Sequence, residues 1–260
     1  MQYLQPTIVV VFGLVIGSFL NVLIYRIPRH QQFIKGRSAC PNCGALIMWY
    51  QNIPVLSYLA LRGRCAGCKT KIPFRYPLVE LLNGLAYFYF FQAYDWSIQF
   101  GIFAFLSSAL IIIFFIDLDH QIIPDLITLP GMIIGLGVSF VPGEIGIVQA
   151  LIGLLVGGGS LYLIAMLGDW LFKKESMGGG DIKMAAMLGA FLGWQKVLFV
   201  FMASAVIGLV VSLALMVVSA RLRETRMVPF GPFIAIAAMT AVIWGDQLIA
   251  CYVENFMHFN

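Results

Sequence analysis

Two short stretches of this sequence hold carboxylates where carboxylates are expensive. Phe114-Phe115-Ile116-Asp117-Leu118-Asp119-His120 closes a long apolar run and leads through Ile122-Ile123-Pro124 to Asp125; Met177-Gly178-Gly179-Gly180-Asp181-Ile182-Lys183 opens another. Only 12 acidic residues occur in 260, and an acidic group at or in a lipid-embedded segment is costly enough to mark function. The glycines Gly178, Gly179 and Gly180 free the backbone to take positive φ and to lie close against an extended substrate. Asp181 then stands at a helix N-terminus, whose dipole favours its ionised form. If Asp117 comes near it at the same depth, the two cannot both be charged, so one keeps a proton. Such a pair is the machinery of an aspartic protease: the ionised member draws a proton from water, which attacks a carbonyl, and the protonated member supports the oxyanion. Read locally, the glycines are also a flexible turn and Asp181 a helix N-cap, while Asp119 and Asp125 fit a solvated hairpin. On a continuous helix Asp117 and Asp119 point about 200° apart, and the sequence leaves open which of them faces Asp181.

Four of the five cysteines form Cys40-Pro-Asn-Cys43 and Cys65-Ala-Gly-Cys68, two CxxC pairs with 21 residues between them. This is the spacing of a tetrahedral four-thiolate zinc site. The loop from Pro28 to Tyr76 is near the size below which a domain needs a metal or disulfides to hold its fold. Its Lys and Arg residues place it in the reducing cytosol, which favours zinc over disulfides or a redox CxxC. A closed site leaves no position for a catalytic water, so the zinc is expected to be structural. Cys251 has no partner and reads as a small buried apolar residue.

The elements that must position these groups are membrane spans. The chain is 61% hydrophobic and 11% charged, with a mean hydropathy of +0.92, which excludes an ordinary soluble domain. We expect an all-α polytopic membrane protein of about eight spans at 5–25, 77–94, 97–116, 125–141, 145–168, 182–194, 197–219 and 230–250. The domains would be a first span (1–27), a cytosolic zinc-binding loop (28–76) and a seven-span membrane domain (77–260). The basic residues concentrate between Arg26 and Arg75, at Lys173, Lys174 and Lys183, and at Arg221, Arg223 and Arg226. These are topology signals that place three segments in the cytosol and the N-terminus outside, and they account for the net charge of +4 without a nucleic-acid partner. The span from Asp181 to Trp194 covers only about 21 Å as a helix, against a hydrocarbon core of about 30 Å. It is either met by thinned lipid or begins in a cavity below the surface. His30, His120 and His258 form no constellation.

Taken together, Gly17-Ser18-Phe19-Leu20-Asn21 through Pro28, the two CxxC pairs, Arg75-Tyr76-Pro77-Leu78-Val79-Glu80-Leu81-Leu82, Ile116-Asp117 through Pro124-Asp125, and Gly178 to Lys183 resemble the type IV prepilin peptidase (leader peptidase/N-methyltransferase) family, aspartic peptidases of the GxGD type. The resemblance implies that Asp117 and Asp181 are catalytic. It implies a substrate too: a type IV prepilin or type II secretion pseudopilin, whose basic leader is cut on the cytosolic side after a glycine, just ahead of an apolar helix. It places the protein in the bacterial inner membrane, in contact with substrate helices and the lipid bilayer. Many members then methylate the new N-terminus from S-adenosylmethionine. No Gly-rich nucleotide loop of Rossmann type is visible; Gly17, Ser18 and Asn21 share a helix face that could line a site or simply pack closely. Glu80 reads as a helix-start residue and Lys183 as a topology anchor. The competing readings are an ion-coupled transporter using intramembrane aspartates and a non-catalytic secretion scaffold.

Overall fold

The computed structural model describes residues 3–32, 36–173, 177–218 and 229–256. Lys35, Lys174, the cluster of Arg221, Arg223 and Arg226, and His258 lie outside the described residues. The helices are α1 (Leu4–Arg26), α2 (Leu56–Ala60), α3 (Arg75–Tyr94), α4 (Ile98–His120), α5 (Asp125–Val138), α6 (Ile147–Phe172), α7 (Gly179–Val218) and α8 (Gly231–Phe256). Among the described residues there is no strand, only isolated bridges in the loop between α1 and α3.

Five of the helices, α1, α4, α6, α7 and α8, are long and apolar enough to cross a membrane, and α5 is a shorter apolar helix. With 40 residues, α7 would run about 60 Å, twice a hydrocarbon core. It is broken at Gly193, whose φ of 78° and ψ of 172° are non-helical and lie in a region that glycine alone adopts readily. The two halves answer to the spans expected at 182–194 and 197–219. With α3 and α5 they complete the eight segments of an all-α membrane protein. The break falls at Gly193 instead of the expected Gln195–Lys196 connection, because the backbone can turn there without a Cβ. The third span does not stop at residue 116: α4 continues to His120 and ends where Gln121 takes φ 54°, a left-handed helix stop. Large apolar side chains face outward, Ile133 and Phe140 at 73% exposure and Trp170 at 79%, the surface that lipid tails accept. Cys251 is exposed on α8, not buried as expected.

The chain divides into two compact units, Met1–Ile116 and Asp117–Asn260. In the first, α1 packs along α3, and the two are tied by hydrogen bonds that replace the hydrophobic drive absent between helices in lipid. Asn83 Nδ2 donates to the Gly13 carbonyl at 2.7 Å and Asn21 Nδ2 to the Tyr76 carbonyl at 3.0 Å, while Ser108 Oγ of α4 donates to Asn83 Oδ1 at 2.8 Å.

In the second unit the first half of α7 is the core, with Met184, Met187 and Leu188 fully buried and α5, α6 and α8 packed against α7. Gly153 of α6 and Gly189 of α7 meet main chain to main chain; a Cβ on either would fall on the other's carbonyl oxygen. This close approach fixes α7 against α6 about two turns after Asp181. Gly189→Val is expected to force the two backbones apart and cost about 3 kcal/mol or more, the upper end of overpacking, read as a lowered thermal midpoint in detergent.

Candidate functional site

Asp117 lies on the last turn of α4 and is 5% exposed, whereas Asp119 on the same turn is exposed. The helix continues through both, so the 200° separation expected from the sequence resolves in favour of Asp117 facing inward. Its Oδ2 accepts a 3.0 Å hydrogen bond from the Gly231 amide, the first residue of α8, where unsatisfied N–H groups and the helix dipole favour an anion. Pro232 follows at a position suited to the first turn.

Asp181 is the third residue of α7, and its amide donates to the Gly178 carbonyl at 3.1 Å. Ile123 lies against Gly180, the neighbour of Asp181, and against Gly231, whose amide holds Asp117, so one side chain bridges the surroundings of the two carboxyl groups. Asp181 Oδ1 is buried and has no hydrogen-bond partner among the described residues. Gly179 and Gly180 are helical, opening α7, and do not take the positive φ expected of them. Their small size serves another end: a Cβ on Gly180 would stand 2.8 Å from Ile123 Cβ, so the α4–α5 connection rests directly on the start of α7. Ile123 also reaches the Gly231 position, where its Cδ1 would be 3.2 Å from an added Cβ. Gly178, Gly180, Ile123 and Gly231 thus surround the pair. Lys183 is no bare topology anchor, since its Nζ meets both carboxylate oxygens of Asp125 at 2.8 and 2.7 Å and links α7 to α5 beside the pair.

In the first unit, Cys40, Cys43, Cys65 and Cys68 offer sulfurs all within 4.8 Å of one another, a group that could hold a metal ion. The two CxxC turns are built alike. Cys40 N–H donates to Ala45 O and Gly44 N–H to Cys40 O; Cys65 N–H donates to Thr70 O and Lys69 N–H to Cys65 O. In each turn the residue four after the first cysteine is left-handed, Gly44 at φ 69° and Lys69 at φ 60°. Hydrogen bonds from the Thr70 hydroxyl, the Thr70 amide and Asn42 draw the Cys68 thiol down to about 5, towards the thiolate that binds metal.

The same unit holds a cavity of about 600 Å³ between α1, the cysteine loop and α3, lined by Ser18 and Asn21 of α1 and by Glu80 of α3. Gly17 packs directly on α3, where an added Cβ would stand 2.7 Å from Glu80 Cα; it is therefore a packing residue, while Ser18 and Asn21 face the cavity. Sequence reasoning missed Gly231, Ile123 and the burial of Glu80. Only Gly231 carried a signal, the Gly-Pro pair that opens an apolar helix.

The Lys183–Asp125 pair is half exposed, at 41% and 53%. A double-mutant cycle with Lys183→Met and Asp125→Asn is expected to give a coupling of only about 0.2–1 kcal/mol in thermal unfolding, shrinking with added salt.

Residues 11–94 match the bacterial peptidase A24 N-terminal domain, and residues 104–213 match the type IV leader peptidase family. A prepilin leader peptidase/N-methyltransferase of Myxococcus xanthus is 42% identical, covering 85% of this chain and 67% of its own. Proteins of the same name from Pseudomonas putida (39%; 95% and 93%) and Aeromonas hydrophila (36%; 99% and 97%) match nearly end to end. No solved structure matches the chain. The two matched segments contain the cysteine loop and both aspartates, and the chain belongs to the type IV leader peptidase family.

Proposed function

We propose that this protein is an aspartic endopeptidase that removes the leader of type IV prepilins or type II secretion pseudopilins, then methylates the new N-terminus. The observation that carries the reading is that buried Asp117, held by Gly231, and Asp181 at the start of α7 flank the same residue, Ile123, inside the segment matched to the leader peptidases. None of the relatives named above is a transporter.

The pair works on a water seated between the carboxyl groups. Asp117, fixed through Oδ2 by the Gly231 amide, is an acceptor and takes the proton of the attacking water. Asp181 carries the shared proton and donates to the developing oxyanion. This is contrary to the expectation from its own helix dipole, because its Oδ1 is buried without a partner among the described residues while Asp117 receives the Gly231 amide and is the better-stabilised anion. Main-chain anchoring matters because Asp117 then needs no side-chain reorganisation during the reaction.

The positive-inside rule puts the loop bearing Arg26, Arg29 and Arg37 in the cytosol and the N-terminus in the periplasm, with the protein in the inner membrane. A prepilin enters with its apolar helix in lipid and its basic leader in the cytosol. Glycine before the scissile bond permits the extended backbone that water attack requires.

Zinc fits the four cysteines. A tetrahedral site with Zn–S bonds of about 2.3 Å separates its sulfurs by about 3.8 Å, and Cys40 and Cys68 stand 3.9 Å apart. The metal would tie the two CxxC turns together and take no part in hydrolysis. S-adenosylmethionine, when bound, supplies the methyl group.

Leader removal from a model prepilin is the direct test. Asp117→Asn and Asp181→Asn are each expected to lower the rate by about 10²–10⁴-fold or more, while Asp119→Asn keeps it; cleavage surviving in both would overturn the reading. Gly231→Ala puts a Cβ 2.6 Å from Asp117 Oδ2, and displacing that carboxylate is expected to cut kcat about 10²-fold with little change in KM. One zinc per chain is expected by elemental analysis. Cys65→Ser or Cys68→Ser should remove it and expose the loop to proteolysis, since a loop of this size depends on its metal.

A further inference from the structure

The loop between α1 and α3 carries large apolar side chains on its outside that its own fold does not cover. Trp49 is 81% exposed, Leu56 66%, Leu59 64% and Phe74 62%, and none of the four lines the cavity between the loop and the two helices. A domain surrounded by water rarely leaves such groups in the open. Leu56 and Leu59, three residues apart, share one face of the short helix α2.

The depth of α2 follows from how it is held. The Val55 amide, just ahead of α2, donates to Glu80 Oε2 at 2.8 Å. Val55 makes this bond from φ 60°, a conformation rare for a β-branched residue, so the tie to α3 outweighs its own backbone preference. Glu80 lies five residues beyond the first residue of α3, about 7.5 Å along the axis. With 20 residues, α3 runs about 30 Å, the thickness of a hydrocarbon core, and has no length to spare outside it. A contact that far along α3 holds α2 at the headgroup–acyl boundary and not out in water. The second contact agrees. The Tyr58 ring of α2 meets Phe74 edge to face with centroids 6.5 Å apart, and Phe74 stands on the same stripe of α3 as the exposed Leu81 and Leu85, seven and eleven positions on.

Charge identifies the occupant. Between residues 27 and 79 the sequence has no Asp or Glu, while eight Lys and Arg fall in 28–76. Arg62 and Arg64, directly after α2, are exposed. An apolar face beside tryptophan and exposed basic groups is the composition of a segment that lies in an anionic membrane surface. The same charges repel a basic leader peptide and a second copy of this loop, so neither suits the surface as lipid does.

We propose that the cysteine loop is a monotopic membrane element. Trp49, Leu56, Leu59 and Phe74 insert at the headgroup–acyl boundary of the leaflet that α1 leaves and α3 enters, and Arg62 and Arg64 bind its anionic phospholipid headgroups. The inference rests on α1 and α3 as membrane spans and is independent of either enzymatic activity.

The test uses the full-length protein in nanodiscs of mixed phosphatidylglycerol and phosphatidylcholine, with photoreactive p-benzoylphenylalanine in place of Leu56, Leu59 or, as a lipid-facing reference, Leu85. Each variant is checked for a native thermal midpoint, irradiated with and without a model prepilin, and its adducts are identified by mass. Phospholipid adducts are expected at all three positions. At 56 and 59, phosphatidylglycerol is expected at about twice its bulk share or more, falling with added salt. Lipid adducts at 85 alone, capture of the prepilin at 56 or 59, or bulk lipid proportions at both positions overturn the proposal. Hydrogen exchange on the native chain needs no variant and decides alone if the variants do not fold. Amides of residues 53–61 are expected to exchange about tenfold more slowly in anionic than in purely zwitterionic nanodiscs; equal rates overturn the proposal.

Discussion

A carboxylate withdrawn from water must be met by hydrogen bonds, a counter-charge or a ligand, and much of this molecule is arranged around that requirement. Its three informative acidic groups meet it in different ways. Asp117 takes a main-chain donor from the first residue of α8; Asp181 sits in the first turn of α7 with one oxygen unsatisfied; Glu80 holds a loop amide and a hydroxyl. A donor fixed in the backbone does not reorganise, so Asp117 is held by the placement of a helix end and not by a flexible partner. For the aspartate pair, that placement is what an acid–base reaction on water demands.

The sequence was legible wherever the physics is local or periodic. Apolar runs marked the spans, CxxC spacing marked the metal-binding turns, and the cost of acidic residues in lipid singled out Asp117 and Asp181. Contacts between distant parts of the chain were not legible. Gly231 lies 114 residues from Asp117, and nothing in the Phe230-Gly231-Pro232 stretch says which carboxylate its amide will meet. Glu80 was read as a helix-start residue because the Val55 amide that binds it comes from a loop whose path follows no periodicity.

The glycines taught a related lesson. Gly178 to Gly180 looked like a flexible turn or a substrate shelf, yet Gly180 is helical and is small because Ile123 lies on it. Gly193, unremarked among apolar neighbours, is the residue that leaves helical geometry and divides α7. Composition alone does not distinguish a glycine that bends the chain from one that makes room.

The seam between α6 and α7 joins two backbones at Gly153 and Gly189 with no side chain between them. A contact of that kind has no rotamers to freeze and no methylenes to exchange, so compensating substitutions cannot retune it as they retune an ordinary core. Evolutionary drift is therefore free to rewrite the lipid-facing side of these helices while the seam stays fixed. Asp181, about two turns before Gly189, lies on a helix fixed by a backbone contact as well as by the fit of packed side chains.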